Sequence, residues 1–147
     1  MVKPTVGLII GRFQPLHKGH VYLIKEGLKI ADKLIIGIGS ANVIDFDNPF
    51  SADERERTLK EMLKNEGLDN NILNIVRLDD NPSDSIWLKQ LLAKTGEVEV
   101  VIGNNERVKE IFENADYQVQ EIPYFKRHIY EGKKIREKMR RDLKLKT

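Results

Sequence analysis

Short apolar runs alternate along this chain with stretches in which apolar residues recur every three or four positions. The runs are Val6–Ile10, Leu34–Ile38, Ile72–Leu78, Val98–Ile102 and Tyr117–Ile122. The first two lack alternation with polar residues, which is typical of strands buried on both faces of a parallel sheet. The last alternates between polar and apolar residues, which indicates a strand nearer an edge.

The stretches between the runs predict amphipathic helices. Val21, Ile24 and Leu28 share one face of the first helix. Ser51 with Glu54 three positions later forms a capping-box pattern at the start of the second helix. Strands joined by helices require a parallel sheet. The sequence therefore predicts an α/β fold, a Rossmann-like three-layer domain with five parallel strands.

No linker or repeat divides the chain, so we expect residues 1–147 to form a single domain that ends in a basic helix at about 132–143. The absence of cysteine excludes disulfides and thiolate metal sites. No apolar run approaches the ~20 residues of a membrane span, and the N-terminus lacks a secretion signal. A cytoplasmic protein that does not contact membranes is expected. The net charge of +2 is too balanced to argue by itself for a nucleic-acid partner.

The candidate chemistry is concentrated in the loop after the first strand, residues 11–20, which reads GRFQPLHKGH. Gly11 and Gly19 permit close approach of the backbone to a ligand. His17 and His20 are three positions apart and lie at the start of a predicted helix, where free N–H groups attract phosphate. Together with Arg12 they suggest a phosphate site. A second interpretation is that the two histidines only cap the helix.

This loop resembles the HxGH signature of the adenylyl- and cytidylyltransferase superfamily. Its GRFQP form is most similar to archaeal-type nicotinamide mononucleotide adenylyltransferases. The resemblance implies a nucleotidyltransferase (HUP-type) fold and the reaction of ATP with nicotinamide mononucleotide to give NAD and pyrophosphate. Catalysis would require positioning and charge neutralisation rather than a general base or a covalent intermediate.

Further strings extend the resemblance along the chain. Residues 48–55, NPFSADER, resemble the family string NPFTAGER, which implies that Arg55 reaches the phosphate site. Residues 85–87, SIW, match a motif in which the tryptophan lines the nicotinamide pocket. Residues 135–139 resemble the last family motif, in which the arginine contacts the ATP phosphates. The implied catalytic residues are His17, His20, Arg12, Arg55 and Arg136. The implied substrate- or nucleotide-binding residues are Gly11, Phe13, Gln14, Gly19, Gly39, Ser40, Ala41, Trp87, Gly103, Asn104 and Ile135.

From spacing alone, Arg55 is as consistent with a surface ion pair as with a phosphate contact, and Trp87 fits a core position better than a ligand contact. The resemblance implies Mg²⁺ held mainly by the phosphates of ATP, with no metal site built from protein side chains. Asp45 and Asp47 are the exceptions that we consider, although such loop carboxylates commonly cap turns.

Glu131 and Lys133 stand where the family has a serine and a threonine, and a carboxylate there would repel a triphosphate. These departures motivate one alternative, a nucleotide-binding regulator without catalytic activity. A nucleotidyltransferase with another acceptor is a second alternative: phosphopantetheine, a flavin nucleotide or a sugar phosphate. A nucleic-acid binder that uses the basic final helix is a third, which the absence of interleaved aromatic residues disfavours. A homo-oligomer is a state that the resemblance allows.

Overall fold

A computed structural model describes residues 4–122 and 135–141 of the chain. The helices and strands, in chain order, are β1 (Val6–Gly11), α1 (Lys18–Ile30), β2 (Lys33–Ile38), α2 (Ala52–Asn65), β3 (Ile72–Arg77), α3 (Asp84–Thr95), β4 (Val100–Ile102), α4 (Glu106–Asn114) and β5 (Gln118–Gln120). A single 3₁₀ turn, Asp69–Asn71, precedes β3. Residues 135–141 are helical. The predicted order of strands and helices is confirmed.

The five strands form one parallel sheet in the order β3-β2-β1-β4-β5. The chain runs outward from β1 to β3, crosses back to β4 and then continues to β5. The order therefore reverses between β1 and β4, and ligands of open parallel sheets bind beyond the carboxyl ends of the strands at such a reversal. The expected edge position of the fifth strand is also confirmed.

Successive residues of the central strands enter opposite layers of the core, as the two-residue period of a strand requires. On β1, Ile9 packs in the layer that includes Ile24 of α1 and Leu59 of α2. Its neighbour Leu8 packs in the layer that includes Leu91 of α3 and Phe112 of α4. Helices therefore cover both faces of the sheet, which gives the predicted three layers.

Local sequence fixes where the helices begin. The Ser51 hydroxyl accepts from the Glu54 amide at 3.1 Å, and the Glu54 carboxylate accepts from the Ser51 amide at 3.3 Å. This is the predicted capping box, which pairs two amides that a helix start leaves open. Ser83 and Asn105 cap α3 and α4 through single side-chain bonds.

Where predicted strand ends differ from the structure, they do so by one or two residues. The fourth run, predicted from Val98, pairs as a strand only over Val100–Ile102, and the fifth only over Gln118–Gln120. The start and end of the predicted final helix lie outside the described residues, as do Glu131 and Lys133. Within the described ranges, no helix has the length and apolar character needed to cross a membrane.

Candidate active site

A cleft of about 560 Å³ opens at the carboxyl ends of the strands, beside the reversal between β1 and β4. Its walls come from the ends of β1 and β2 and from the first turns of α3 and α4. The residues that line it include Gly11, Arg12, Gly39, Ser40, Asp80, Asp84, Trp87, Asn105 and Arg107. The sheet topology thus brings together residues from four separate parts of the chain.

The two histidines form a capping box at the start of α1. His17 is the N-cap residue, and its Nδ1 accepts a hydrogen bond from the Gly19 amide at 3.0 Å. The Nδ1 of His20 accepts from the His17 amide at 3.1 Å. The interpretation of the pair as a helix cap is therefore correct for one nitrogen of each ring.

The capping bonds also decide the protonation of both rings. An Nδ1 that accepts a hydrogen bond carries no proton, so the neutral ring holds its proton on Nε2. Burial lowers the pKa of His17 to about 4. Burial, followed by the charge of His17, lowers the pKa of His20 to about 3. Both imidazoles are consequently neutral at physiological pH, and each carries its proton on Nε2.

The histidine rings are stacked against one another and against Phe13. The ring centroids of His17 and His20 lie 3.9 Å apart, and those of Phe13 and His20 lie 4.6 Å apart. Phe13 is buried and adopts a left-handed backbone with φ of 54°. A Cβ on Gly11 would stand 3.0 Å from the Phe13 ring, so a larger residue here would press on that ring. The loop therefore fixes the orientation of the two donors through ring packing.

Two arginines meet at the loop after β1, Arg12 from the loop itself and Arg136 from the helical segment 135–141. Arg12 donates to the Asn48 side-chain oxygen at 3.0 Å, and Arg136 donates to the Gln14 carbonyl at 2.6 Å. Among residues 4–122 and 135–141, neither forms an ion pair with an acid. Burial, followed by the charge of Arg12, lowers the pKa of Arg136. Asp47 and Glu137 act on Arg136 through their charges but do not form an ion pair with it. Two close cations that no carboxylate contacts directly indicate a site that favours an anion.

Arg136 supplies a second sign of an anion site. The residue is 5% exposed, and in the described part of the chain its Nε has no hydrogen-bond partner. A buried N–H without a partner costs free energy, because its bonds to water are lost and not replaced. A phosphate oxygen is one partner that would satisfy it.

Arg55 does not fit the role that the resemblance implied. The side chain is 1% exposed, and its guanidinium donates to backbone carbonyls of three segments. The geometry does not support the predicted contact with phosphate. The interpretation as a surface ion pair is wrong, because the side chain is buried and pairs with carbonyls.

Of the other predicted binding residues, one group lines the cleft, and the second lies outside the cleft lining. Gly11, Gly39, Ser40 and Trp87 line the cleft. Gln14 is buried and pairs with the Phe50 backbone through two bonds of 3.0 and 2.9 Å. The Gly19 amide donates to the side chain of the N-cap residue His17, and the Ala41 amide donates to the Leu78 carbonyl at 2.9 Å. Asn104 joins the end of β4 to Ile122 through its side chain. Gly103 lies in the turn after β4, and Ile135 begins the described helical segment.

Trp87 takes part in the core and in the cleft at once. Its ring meets Phe112 edge-on at 6.3 Å between centroids, and the residue also lines the cleft. The two interpretations of this residue are therefore compatible. The position next to the carboxyl ends of the strands is as predicted.

Sequence reasoning missed the polar residues that complete the site. Asn48 orients Arg12 and is itself held by Asp45, which accepts from the Asn48 side chain at 3.0 Å. Asp84 and Arg107 pair at 2.7 Å between the starts of α3 and α4. Asn48 belongs to the string that resembled the family, so a signal existed there. For the pair between α3 and α4 we find none in the sequence.

A metal ion bound by the protein itself would require several ligating side chains close together. No cluster of three or more His, Cys, Asp or Glu residues that could hold one occurs within the described ranges. Asp45 accepts three bonds from Asp47 and Asn48 and thereby closes a turn. The donors near the arginines suit phosphate oxygens better than a cation.

Comparison with known proteins gives a consistent result. A family model described as cytidylyltransferase-like matches residues 8–138. A nicotinamide-nucleotide adenylyltransferase from Thermoplasma acidophilum is 39% identical over 138 residues, which are 93% of this chain and 76% of that protein. One of the same name from Archaeoglobus fulgidus is 36% identical over 135 residues, 88% of this chain and 77% of that protein. The chain thus spans about three quarters of these relatives.

A similar solved structure is a bifunctional NMN adenylyltransferase/ADP ribose pyrophosphatase from Francisella tularensis in complex with AMP and a manganese ion. It superposes with a TM-score of 0.75 at 26% identity, and the match covers 92% of this chain and 41% of that one. The matched part is therefore less than half of a longer protein.

Proposed function

The chain belongs to the cytidylyltransferase-like family, and from that premise we propose that it transfers the adenylyl group of ATP to nicotinamide mononucleotide. The products are NAD and pyrophosphate. The observation that carries the proposal is the pair of imidazoles, neutral at physiological pH, in the same loop as Arg12, which lines a cleft large enough for nucleotides. Arg136, bound to the loop carbonyl of Gln14, adds a second cation, and among the described residues neither arginine forms an ion pair.

The reaction is a displacement at phosphorus. A phosphate oxygen of nicotinamide mononucleotide forms a bond to the α-phosphorus of ATP, and the bond from that phosphorus to the bridging oxygen of the leaving group breaks. The bonding electrons leave with pyrophosphate. Since the attacking oxygen is already anionic at neutral pH, no group of the protein has to remove a proton.

The protein contributes fixed donors around the transferred group. We assign His17 and His20 to the phosphates through Nε2–H, with His20 nearer the α-phosphate. Arg12 and Arg136 neutralise the β- and γ-phosphates and the pyrophosphate that departs. Donors that are held in place before the reaction stabilise the charge that develops without reorganising. The capping bonds of the histidines and the Asn48 contact of Arg12 support this assignment.

The cleft accommodates the remainder of the substrates. We assign the nicotinamide ring to the wall formed by Trp87, where an aromatic face can stack on it. Mg²⁺ is proposed as part of the ATP substrate, bound to phosphate oxygens. The manganese ion in the Francisella tularensis structure supports the use of a divalent ion.

A coupled assay for NAD formation, with ATP, Mg²⁺ and nicotinamide mononucleotide, tests the proposal, and the His20→Ala variant is the blank. We expect turnover by the natural protein and a loss of at least ~10²-fold in the variant. Turnover with phosphopantetheine, a flavin nucleotide or a sugar phosphate, and none with nicotinamide mononucleotide, would show that the acceptor is a different molecule. Binding of NAD without any turnover would identify a regulator.

A further inference from the structure

The Arg55 guanidinium lies beneath the floor of the cleft and binds four carbonyl oxygens. Its NH1 donates to the carbonyls of Arg12 at 3.0 Å and Gly39 at 2.8 Å. Its NH2 donates to the carbonyl of Ser40 at 3.1 Å, and its Nε to the carbonyl of Ser51 at 3.2 Å. Four of the five N–H groups of the guanidinium are therefore occupied.

These carbonyls belong to three segments that are distant in sequence. Arg12 follows β1, Gly39 and Ser40 follow β2, and Ser51 caps α2. The first two segments form the part of the cleft wall nearest the sheet. One buried side chain thus joins both loops of the site to the helix that carries it, and we use the name carbonyl clamp for Arg55 and its four bonds.

The backbone held by the carbonyl clamp is strained at two points. Phe13 and Ser40 have φ values of 54° and 50°, although neither is glycine. Residues of this kind in the left-handed region are unfavourable and persist only where neighbouring structure enforces them. Each directly follows a residue whose carbonyl binds Arg55, so the bonds act at the strained peptide units themselves.

The clamp also sets the direction of peptide dipoles. In a trans peptide the N–H points opposite to the preceding C=O. Since the carbonyls of Arg12 and Gly39 point down to Arg55, the amides of Phe13 and Ser40 point away from it. The carbonyl clamp therefore fixes the orientation of two peptide units, Arg12–Phe13 and Gly39–Ser40, with each carbonyl toward Arg55 and each amide on the opposite side.

We propose that Arg55 is a positioning residue, which fixes the two loops of the site through their carbonyls and does not contact the phosphates of the substrate. The proposal rests on the proposed adenylyl transfer for its kinetic test. It changes the role that the resemblance implied for this arginine. The 1% exposure of the side chain leaves no surface for a phosphate to reach.

Replacing Arg55 by lysine and by glutamine distinguishes the effect of its hydrogen bonds to the carbonyls from the effect of its positive charge. Lysine keeps the charge, but its three donors share a single nitrogen and cannot serve four carbonyls. We expect Arg55→Lys and Arg55→Gln to lose kcat alike, by about 10²-fold, as expected of a site whose groups are misplaced by about 1 Å. The KM for ATP should change much less. Arg57→Gln, on the exposed side of the same helix, is the matched control and should leave both constants unchanged.

Direct contact with phosphate predicts a different pattern. A lysine would then retain most of the activity, and glutamine would raise the KM for ATP and the Kd for pyrophosphate more than it lowers kcat. That result would overturn the proposal. Added guanidinium ion should partly restore kcat in Arg55→Ala if the lost function is the clamp, and no restoration would count against it.

A measurement on the natural protein decides the question even if the variants do not fold. The Nε–H resonance of Arg55 in an arginine-labelled sample should exchange slowly with solvent and keep its position when pyrophosphate is added. A shift as large as that of Arg136 would mean contact with phosphate and would overturn the proposal. Absence of NAD formation by the natural protein would refute the proposed reaction, whereas this resonance would still report on the clamp.

Discussion

At the scale of single residues, the two nitrogens of each active-site imidazole have separate tasks. Nδ1 of His20 closes the capping box with the His17 amide, and its Nε2–H is the donor assigned to phosphate. A substitution to alanine removes both tasks and cannot distinguish them. Asparagine and glutamine can, because their polar atoms imitate one ring nitrogen each.

We expect His20→Asn to keep the cap and lose the reaction. The asparagine oxygen occupies a position similar to Nδ1 and can accept the His17 amide, so thermal stability should stay close to that of the natural protein. No donor then replaces Nε2–H, and kcat should fall by at least ~10²-fold.

His20→Gln should show the opposite balance. Its amide nitrogen approximates Nε2 and retains a donor, so more activity should survive than in His20→Asn. The lost cap should lower the free energy of unfolding by about 1 kcal/mol. Melting curves and steady-state kinetics on both variants provide the test, and equal activities would remove His20 from the assigned role.

The lowered histidine pKa values predict a loss of stability in acid. An unfolded histidine titrates near 6.5, whereas the folded pKa values of His17 and His20 are about 4 and about 3. Between these values the unfolded chain binds more protons, so stability rises with pH in this window. The neutral rings therefore contribute fully above about pH 6.5, and the contribution is lost as the pH falls toward 3.

Denaturant unfolding at pH 7 and pH 5 tests this expectation. The free energy of unfolding should fall more over this interval in the natural protein than in His20→Asn. The variant lacks one of the two histidines whose pKa is lowered. Equal losses in the two proteins would contradict the assigned pKa of His20. The interval lies above the ordinary pKa values of carboxylates, so their contribution is small.

At the scale of elements, the loop between β2 and α2 holds the arginines of the site in place through hydrogen bonds. Asp45 holds Asn48, and Asn48 in turn holds Arg12. The Phe50 backbone pairs with Gln14, whose carbonyl binds Arg136. Both arginines assigned to the polyphosphate are thus aligned by one loop and by the residue it pairs with.

We expect Asn48→Ala to weaken binding of the polyphosphate. Without the side-chain oxygen, Arg12 loses its alignment, and the Kd for pyrophosphate should rise by about 10-fold, equivalent to about 1.4 kcal/mol. Calorimetry measures this directly. Ile44→Ala is the matched control, because Ile44 lies in the same loop with 69% of its surface exposed. Equal affinities of the two variants for pyrophosphate would show that the alignment is irrelevant.

At the scale of the whole molecule, the reversal of strand order creates the cleft and places Trp87 in its wall. Trp87 is the only tryptophan of the chain, so its fluorescence reports on this wall alone. We expect nicotinamide mononucleotide to quench the emission and pyrophosphate to leave it nearly unchanged, because only the first has an aromatic ring that can stack on the indole. Trp87→Phe should abolish the signal and keep measurable binding. Equal responses to both ligands would contradict the assignment of the nicotinamide ring to this wall.

Some expectations stay predictions at this scale. The cytoplasmic location, the single-domain organisation, a homo-oligomer and the roles given to individual site residues rest on the sequence and on the resemblance. The departures at Glu131 and Lys133 lie outside the described residues.

The sequence by itself determined the sheet, the helices, the capping box of Ser51 and the family. Hydrophobic periodicity and caps are local signals, carried by residues within a few positions of one another. The string at residues 11–20 is local as well, which is why His17, His20 and Arg12 were found without a structure.

Only the tertiary structure decided what these residues contact. Arg55 meets a carbonyl 43 positions away, and Arg12 meets an amide 36 positions away. Such contacts depend on how the loops pack over the sheet, and no spacing along the chain encodes them. The same spacing of Arg55 is compatible with a surface ion pair, a phosphate contact and a buried carbonyl clamp. Burial and hydrogen-bond geometry select the last of these, because a guanidinium enclosed by four carbonyls has its donors satisfied inside the protein.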